Sequence, residues 1–250
     1  MGNPESKEVT TPEEDEKKYG LTTDDQLAYT IDRSNYKSGH IAEQEELIKK
    51  QEELINIDHL TGLENRRSFD EKLSLLLKPF IYESHETKEQ RKTRKTLEEV
   101  SLISIDLDHF KLVNDTFGHQ TGDEVLRAVG ALLKKSVRAG DVAARFGGEE
   151  LAVLMNASVE GAAHHAEKLR DEIQKFVFSD SKLKITASFG ITSSNILKEE
   201  VMPPEWDEAL RLKHVTNKIL RCADEALYAA KHGDTENPEG RDCVRTYKGT

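Results

Sequence analysis

The segment RFGGEEL, residues 145–151, places two glycines directly before two glutamates. One interpretation is a surface hairpin, in which Gly147 and Gly148 form the turn and Glu149 and Glu150 are solvated. The other is that the carboxylates hold a divalent metal ion, since adjacent negative charges otherwise repel each other. The segment alone leaves both interpretations open.

A further acidic residue, Asp106, ends the segment VSLISID at residues 100–106, which has the pattern of a buried strand. A charge at the end of a buried strand needs compensation. If this strand lies beside the glycine hairpin, Asp106 and Glu149 meet at one end of the sheet and can share a cation. Oxygen ligands suit Mg²⁺, with Mn²⁺ as an alternative, and Mg²⁺ keeps positions for water and phosphate oxygens. The two acidic segments together favour a metal site.

Polar residues that could bind a nucleotide follow this strand. A helix beginning near His109 would direct its N–H groups at phosphates, and Lys111 in its first turn could add a positive charge. Asn114 and Asp123 carry the donor and acceptor atoms needed to recognise a base edge. Glycine in the hairpin would let a nucleotide approach the backbone closely. These residue types indicate a nucleotide ligand.

The order of the apolar patterns predicts the fold. After residue 58 they read β-α-α-β-β-α-β-α-β, with strands at 100–106, DVAARF, LAVLM, 184–192 and CVRTY. The first two helices are expected around Phe110 to Phe117 and from Asp123 onward. A helix pair before a central hairpin predicts an α+β fold, in which a central antiparallel sheet is flanked by helices. This is the ferredoxin-like, palm-type fold of polymerases and nucleotidyl cyclases.

Three regions are expected along the chain. Residues 1–38 are polar and acidic and are predicted to form a flexible leader. Residues 39–57 have the pattern of a helix in which Ile41, Ile48 and Ile55 recur every seven residues. This N-terminal helix either forms a short coiled coil in a dimer or docks on its own domain. Residues 58–250 form the main domain, in which the charged stretch 83–99 is expected to be a solvated loop or a helix extension.

Composition excludes several classes of partner. The formal net charge of -11 argues against a nucleic-acid polymer or an anionic membrane as the main partner. No apolar run is long enough to span a bilayer, and the first residues lack the pattern of a secretory signal. Two cysteines, Cys222 and Cys243, make no disulfide framework. A cytoplasmic location is therefore expected.

Several separated segments match one known family in the same order along the chain: DHLTGLENRR, IDLDHFKLVNDTFGHQTGDEVL, RFGGEEL, ASFGIT and ADEALYAAKHG. Together they resemble the GGDEF-domain diguanylate cyclases over about residues 58–248, with GGEEL as the form of the signature found here. The resemblance implies that two GTP molecules condense to cyclic di-GMP and two pyrophosphates. It also implies a homodimer, in which each half holds one GTP and each 3′-hydroxyl attacks the other α-phosphate.

The resemblance further implies roles for individual residues. Asp106, the backbone carbonyl of Leu107 and Glu149 would bind the metal. Glu149 or Glu150 would help to deprotonate the 3′-hydroxyl. The other substrate contacts would be the backbone N–H groups of His109 and Phe110 and the cations Lys111 and Lys231 for the phosphates, and Asn114 and Asp123 for guanine.

An inhibitory site for the product is also implied. Arg138 and Asp141, in RAGD, precede the glycines at the spacing of the family's RxxD site. The second arginine of that site is replaced by Lys168, which lacks the planar fork of arginine and would reduce product affinity. His164 and His165, on the same predicted helix, are interpreted as surface residues.

The end of the chain departs from the family pattern. The family often has a short K-x-x-G-R segment, whereas here the insertion DTENPEG separates KHG from Arg241. Arg241 is the residue that matches the phosphate-binding arginine of the family.

Two other functions remain open. A catalytically inactive receptor would bind cyclic di-GMP through the RxxD site, although an inactive domain usually loses the carboxylates that are intact here. A cyclase with altered base choice would make a mixed or adenine-containing product. Asp123 argues for GTP, because its carboxylate can accept from both N1–H and the amino group of guanine.

Overall fold

The structure, a computed structural model, describes residues 41, 44, 55–83, 99–180, 182–198, 200–233 and 240–247. The predictions for the leader at 1–38, for most of the helix at 39–57 and for most of the stretch at 83–99 fall outside these residues. The chain divides into two compact units, Met1–Ile55 and Asn56–Thr250. In the first unit Ile41, Gln44 and Ile55 are helical. The elements that follow belong to the second unit.

Strand β2 (Val100–Leu107) is the centre of the sheet, and all eight of its residues are buried. Branched apolar side chains fill both of its faces, as expected for a strand that is covered by helices on both sides. It pairs antiparallel with β4 (Glu150–Asn156) on one side and with β5 (Ala187–Ser193) on the other. The predicted antiparallel centre of the sheet is confirmed.

The sheet has the order β1-β3-β4-β2-β5-β6. Strand β3 (Val142–Gly147) pairs antiparallel with β4 through the glycine hairpin. The edge strands β1 (Glu64–Asn65) and β6 (Val244–Thr246) pair in parallel with β3 and β5. The four inner strands have the order of a ferredoxin-like unit, which places the end of β2 beside the hairpin.

Helices cover both faces of the sheet. One face carries α2 (Phe110–Phe117), α3 (His119–Ser136) and α4 (Val159–Gln174), and the other carries α1 (Arg66–Glu83) and α5 (Glu208–His232). Ile103 packs in the first core and Leu102 in the second, because alternate strand residues point to opposite faces. The predicted α+β fold is confirmed, with a sheet that is mixed at its edges.

Two boundaries differ from the prediction. Helix α3 begins at His119, four residues before Asp123, because Gly118 (φ 85°) ends α2 and lets the next helix start at once. Strand β5 begins at Ala187, after the predicted start at 184.

The predicted element order also omits β1 and α1. A two-residue strand carries no periodic signal, but Phe69, Leu73 and Leu77 are fully buried at helical spacing, a signal that the sequence does contain. Ile57 forms an isolated antiparallel bridge with Glu64, so the helix predicted at 39–57 ends before that residue.

Candidate active site

Asp106 lies where the sheet meets the glycine hairpin. In the antiparallel register it stands opposite Glu150, which pairs with Gly147 on its other side. Asp106 is only 6% exposed, Glu149 is half-buried and Glu150 is exposed. The fold therefore brings the acidic end of β2 to the two glutamates, as the sequence predicts.

The carboxyl group of Asp106 is costly to ionise. Burial raises its pKa above the ordinary value, and the nearby charges of Glu149 and Asp108 raise the pKa further. The Lys231 ammonium acts in the opposite direction, since its Nζ lies 3.0 Å from Oδ2 of Asp106. Acidic groups that repel each other in a buried place need positive charge nearby, and Lys231 at the end of α5 supplies part of it.

The oxygen atoms at this point suit a hard divalent cation. Within the part of the chain that the structure describes, no three His, Cys, Asp or Glu side chains are arranged to hold a metal ion. Mg²⁺ needs fewer protein ligands, because it is usually held by one or two carboxylates and keeps water and phosphate oxygens. Asp106 and Glu149 have the carboxylates that such a site uses, and Mn²⁺ accepts the same ligand types. Their role as metal ligands, together with the carbonyl of Leu107, stays a prediction.

The hairpin glycines have backbone conformations that side chains rarely adopt. Gly147 has φ 147° and Gly148 has φ 53°. A Cβ atom at either position would meet no atom within 4 Å, so the space over the turn is open. The segment is a hairpin, as the first interpretation predicts, but its turn is formed by Gly148 and Glu149 and Glu149 is half-buried. The binding of a metal by these carboxylates stays a prediction.

Arg145 connects the hairpin to the turn at residues 58–61. Its Nε and Nη2 donate to the carbonyl oxygen of Gly148 at 3.0 and 2.9 Å, and its Nη1 donates to both carboxylate oxygens of Asp58 at 3.2 and 3.1 Å. Thr61 donates its N–H and its hydroxyl to the same carboxylate. Only 13% of the Arg145 side chain and 23% of the Asp58 side chain are exposed. The sequence analysis did not predict this contact between DHLTG and RFGG.

We expect Asp58→Asn to lower the free energy of unfolding by about 2 kcal/mol, as for the loss of a charged, largely buried hydrogen bond. Burial alone would raise the pKa of Asp58, but hydrogen bonds from Thr61 and the charge of Arg145 outweigh it and hold the pKa below the ordinary value. The stabilisation is therefore present at neutral pH and is lost as the pH falls below the ordinary carboxyl pKa and through the lowered one. Urea unfolding at several pH values measures it.

Asp70→Asn is the matched control, because Asp70 pairs with Arg66 at 3.1 Å on an exposed surface where the two side chains are 44% and 47% exposed. Its loss should be about 0.5 kcal/mol or less. Equal losses in the two variants would contradict a structural role for the Asp58–Arg145 contact.

His109 turns the chain from β2 into α2. It has a left-handed backbone (φ 56°), and the helix begins at the next residue, Phe110, which is buried. The first N–H groups of a helix have no intrahelical partner and point out of its N-terminus. Lys111 is exposed beside them. The N–H groups of His109 and Phe110 and the side chain of Lys111 thus lie directly after β2, three to five residues beyond Asp106.

Gly122 allows close contact between α2 and α3, so that the side chain of Asn114 lies against the residue that precedes Asp123. A Cβ atom at Gly122 would lie 2.0 Å from Oδ1 of Asn114 and 3.3 Å from Cζ of Phe110. Asp123 is half-buried, and Nη2 of Arg127 lies 3.6 Å from its Oδ2. Gly122 was not among the predicted site residues, although a glycine inside a helical pattern is a recognisable signal.

Lys231 and Arg241 both lie at the acidic end of the sheet. Nη1 of Arg241 is 3.8 Å from Oδ1 of Asp108, a buried carboxylate that the sequence analysis did not single out. The two ends of the insertion lie close together. A Cβ atom added at Gly240 would be 2.5 Å from the backbone nitrogen of Gly233. The insertion therefore leaves Arg241 next to the end of α5.

A cavity of about 260 Å³ extends from Asp106 and Glu150 along α5. Asp224 lines it, and Oγ of Ser104 lies 3.5 Å from the Asp224 carboxylate. Burial raises the pKa of Asp224, and the charge of Arg66 opposes this. This carboxylate is a further acidic group near the hairpin that the sequence analysis missed.

A second cavity, of about 510 Å³, is lined by Arg138, Asp141 and Lys168. The backbone N–H of Arg138 donates to Oδ2 of Asp141 at 3.1 Å, and the backbone N–H of Asp141 donates to the carbonyl of Arg138 at 3.1 Å. These two bonds close the RAGD turn. The structure thus brings the three residues of the predicted inhibitory site to one cavity.

The histidine pair also borders this second cavity. His164 is exposed, as predicted, but His165 is half-buried and its Nε2 lies 3.3 Å from Oγ of Ser136. Burial lowers the pKa of His165, although the charge of Asp141 acts in the opposite direction. The surface interpretation is therefore wrong for His165.

Fold and site together define a class of protein: a palm-like α+β domain with acidic residues at the end of its central strands. A family model described as "Diguanylate cyclase, GGDEF domain" matches residues 55–237. The chain therefore belongs to the GGDEF-domain family of diguanylate cyclases. None of the described helices combines the length and apolar character that crossing a bilayer requires.

Known proteins that this chain resembles include two curated relatives. It is 36% identical to Diguanylate cyclase DgcP of Pseudomonas aeruginosa over 73% of this chain and 23% of that protein. It is 31% identical to Diguanylate cyclase A of Treponema denticola over 72% of this chain and 42% of that protein. The chain thus spans less than half the length of each of these relatives.

A solved structure shows the same fold. The coiled coil and GGDEF domain of DgcB from Caulobacter crescentus, solved in complex with c-di-GMP, matches with a TM-score of 0.61 and 25% identity. The match covers 87% of this chain and 98% of that one.

Proposed function

We propose that this protein is a diguanylate cyclase, which condenses two GTP molecules into cyclic di-GMP and two pyrophosphates. The observation that supports this most strongly is the meeting of Asp106, Glu149 and Glu150 beside the turn at His109, in a chain of this family. A receptor for cyclic di-GMP has no need of such a group, whose burial and mutual repulsion cost stability. A cytoplasmic location, where GTP is available, is part of the proposal.

Each domain binds one GTP in this proposal. Helix α2 directs N–H groups at the phosphates, and positive side chains from α2, α5 and the segment before β6 surround them. Asn114, whose side chain lies against Gly122, and Asp123, the next residue of α3, contact guanine. The phosphate-binding residues are His109, Phe110, Lys111, Lys231 and Arg241.

The reaction joins the two nucleotides twice. Glu149 or Glu150 accepts the proton of a 3′-hydroxyl, and this oxygen forms a bond to the α-phosphorus of the other GTP. The bond from that phosphorus to the bridging oxygen breaks, and pyrophosphate leaves with the electron pair. Asp106, Glu149 and the carbonyl of Leu107 would hold Mg²⁺, or Mn²⁺ in its place. The bound ion supplies a lower hydroxyl pKa and neutralises charge on the phosphates.

A homodimer is required, because one domain holds only one of the two nucleotides. The predicted helix at 39–57 is the element that we expect to assist pairing. Ile41 and Ile55 of its apolar stripe are 55% and 51% exposed. The DgcB structure likewise joins a coiled coil to a GGDEF domain. A short helix contributes weakly by itself, so pairing should depend on protein concentration.

The proposal is tested by incubating the protein with GTP and Mg²⁺ at several protein concentrations and identifying the products by chromatography and mass. We expect cyclic di-GMP and pyrophosphate, with a specific activity that rises until dimers saturate. Binding of cyclic di-GMP without turnover at any concentration would identify an inactive receptor. A specific activity that is independent of concentration would contradict the dimer.

Base choice provides a separate test. We expect Asp123→Ser to weaken discrimination between GTP and ATP by about tenfold or more. A buried acceptor that fits the donors of guanine is left unpaired when adenine binds, and this penalty disappears with the carboxylate. Competition with mixed nucleotides measures the product ratio. Asp171→Ser makes the same change on α4, where Asp171 pairs with Lys175 at 2.7 Å, and should leave the ratio unchanged. An unchanged ratio in Asp123→Ser would count against base recognition by this residue.

Product inhibition completes the proposal. Arg138 and Asp141 would bind cyclic di-GMP in the cavity that they share with Lys168. A lysine offers a single charged nitrogen rather than the paired donors of arginine, so product affinity should be lower than with two arginines.

A further inference from the structure

Asp108 is a buried carboxylate beside the phosphate-binding turn, and both of its oxygen atoms accept hydrogen bonds. The proposed function gives it no role. Its side chain is 1% exposed. Oγ of Ser188 donates to Oδ1 at 2.8 Å, and Oγ1 of Thr186 and the backbone N–H of Asp242 donate to Oδ2 at 2.7 and 2.9 Å. Nη1 of Arg241 lies 3.8 Å from Oδ1. This one carboxylate therefore joins β5 and the segment that carries Arg241.

The segment around Arg241 needs such an anchor. Arg241 and Asp242 have positive φ of 62° and 44°, which cost energy for residues other than glycine. The carboxylate of Asp242 is held in turn by Nη1 of Arg170 at 3.0 Å and by Nε2 of Gln174 at 2.7 Å. The backbone N–H of Arg241 donates to the carbonyl of Ala230 at 2.5 Å. Strained residues persist where the surroundings hold them. Here Asp108 accepts a hydrogen bond from the backbone N–H of Asp242 and pairs with the guanidinium of Arg241.

The position of Asp108 in the chain links this segment to the substrate. It directly precedes His109 and the start of α2, and its own N–H donates to the carbonyl of Thr186 at 2.9 Å. The turn that directs N–H groups at the phosphates and the segment that supplies the Arg241 guanidinium thus meet at one side chain.

We infer that Asp108 is a positioning residue that holds Arg241 against the phosphate-binding turn, so that the two act on one triphosphate. This inference rests on the proposed binding of GTP at that turn. Asp108 itself touches no substrate: it acts through Arg241. A buried carboxylate with a purely structural role would stabilise the fold without any special coupling to Arg241.

A double-mutant cycle of Asp108→Asn and Arg241→Ala separates these roles. The probe is guanosine 5′-[α,β-methylene]triphosphate, with binding to the full chain measured by calorimetry in the presence of Mg²⁺, and GMP serves as a ligand that lacks the outer phosphates. We expect each single variant to weaken binding of the triphosphate by about tenfold, as for loss of a charged hydrogen bond, with much smaller effects on GMP. The double variant should be no weaker than Arg241→Ala alone.

Ser101→Ala is the matched control, since it removes a partly buried hydrogen bond from Oγ of Ser101 to the carbonyl of Ala157 at 2.8 Å. Ser101 lies at the start of β2, whereas Asp108 follows its end. Its effects should be confined to stability. If Asp108→Asn does not fold, the combined variant Thr186→Val and Ser188→Ala loosens the carboxylate while keeping it. Its loss of triphosphate affinity should vanish when Arg241 is also replaced.

The inference would be overturned if the losses of triphosphate affinity in the two single variants multiply in the double variant. It would also be overturned if the variants lose as much affinity for GMP as for the triphosphate. No binding of the analogue to the unaltered protein would overturn it together with the proposed function. Binding of the analogue and the expected coupling, without cyclic di-GMP synthesis from GTP, would leave Asp108 as the positioning residue and refute only the cyclase reaction.

Discussion

Glu149→Gln should reduce turnover of GTP by about a hundredfold or more. In the proposed mechanism Glu149 is a ligand of the metal and a neighbour of the nucleophile, so its loss removes several kcal/mol of transition-state stabilisation. The stability of the fold should not decrease. The charge of Glu149 raises the pKa of the buried Asp106 carboxyl, which means that the two acids repel each other. Removing one charge relieves this repulsion, so the melting temperature should stay the same or rise. Initial rates and thermal unfolding measure the two effects.

Asp106→Asn should also reduce turnover by about a hundredfold or more, but it should change stability little because two effects oppose each other. The substitution removes a charge that burial and the repulsion of Glu149 and Asp108 make costly. It also takes from the half-buried Lys231 the carboxylate that lies 3.0 Å from its Nζ, so the melting temperature should change little. Glu225→Gln is the control, because Glu225 pairs with Arg221 on an exposed part of α5. It should change neither rate nor stability. Turnover by Glu149→Gln within a few-fold of the unaltered protein would remove Glu149 from the mechanism.

Arg138→Ala should raise the concentration of cyclic di-GMP needed for half-maximal inhibition by about tenfold or more, since a charged hydrogen-bonding partner of the product is lost. The initial rate should not change, because Arg138 lies in the cavity with Asp141 and Lys168 and not at the hairpin carboxylates. Progress curves with and without added product measure both quantities. A curve that bends early in the unaltered protein should become straighter in the variant.

Lys168→Arg tests the same site in the opposite direction. It introduces the planar fork of donors that lysine lacks, so inhibition should appear at a lower product concentration. Arg67→Ala is the control, because Arg67 forms an exposed pair with Glu71 on α1 at 3.1 Å. Equal sensitivity to product in Arg138→Ala and in the unaltered protein would refute the inhibitory site.

The sequence predicted those parts of the site that depend on local pattern. The apolar run before Asp106 identified a buried strand, and the glycines before Glu149 identified a turn, because each signal lies within a few neighbouring residues. The ferredoxin-like order then followed from the succession of elements, which short connections restrict to few arrangements. Asp106 and the hairpin meet in the structure as this reasoning required.

Contacts between distant segments were decided only by the tertiary structure. Asp58 and Arg145 are separated by 87 residues, and no periodicity connects them. Asp108 and Asp242 are 134 residues apart, and their contact depends on a chain that returns past an insertion to the end of α5. Local sequence determines which residues can form a strand, a turn or a helix start. The partner of each buried charge depends on how those elements pack. The free-energy cost of desolvating a charge is offset only by groups that the whole fold brings within a few ångströms.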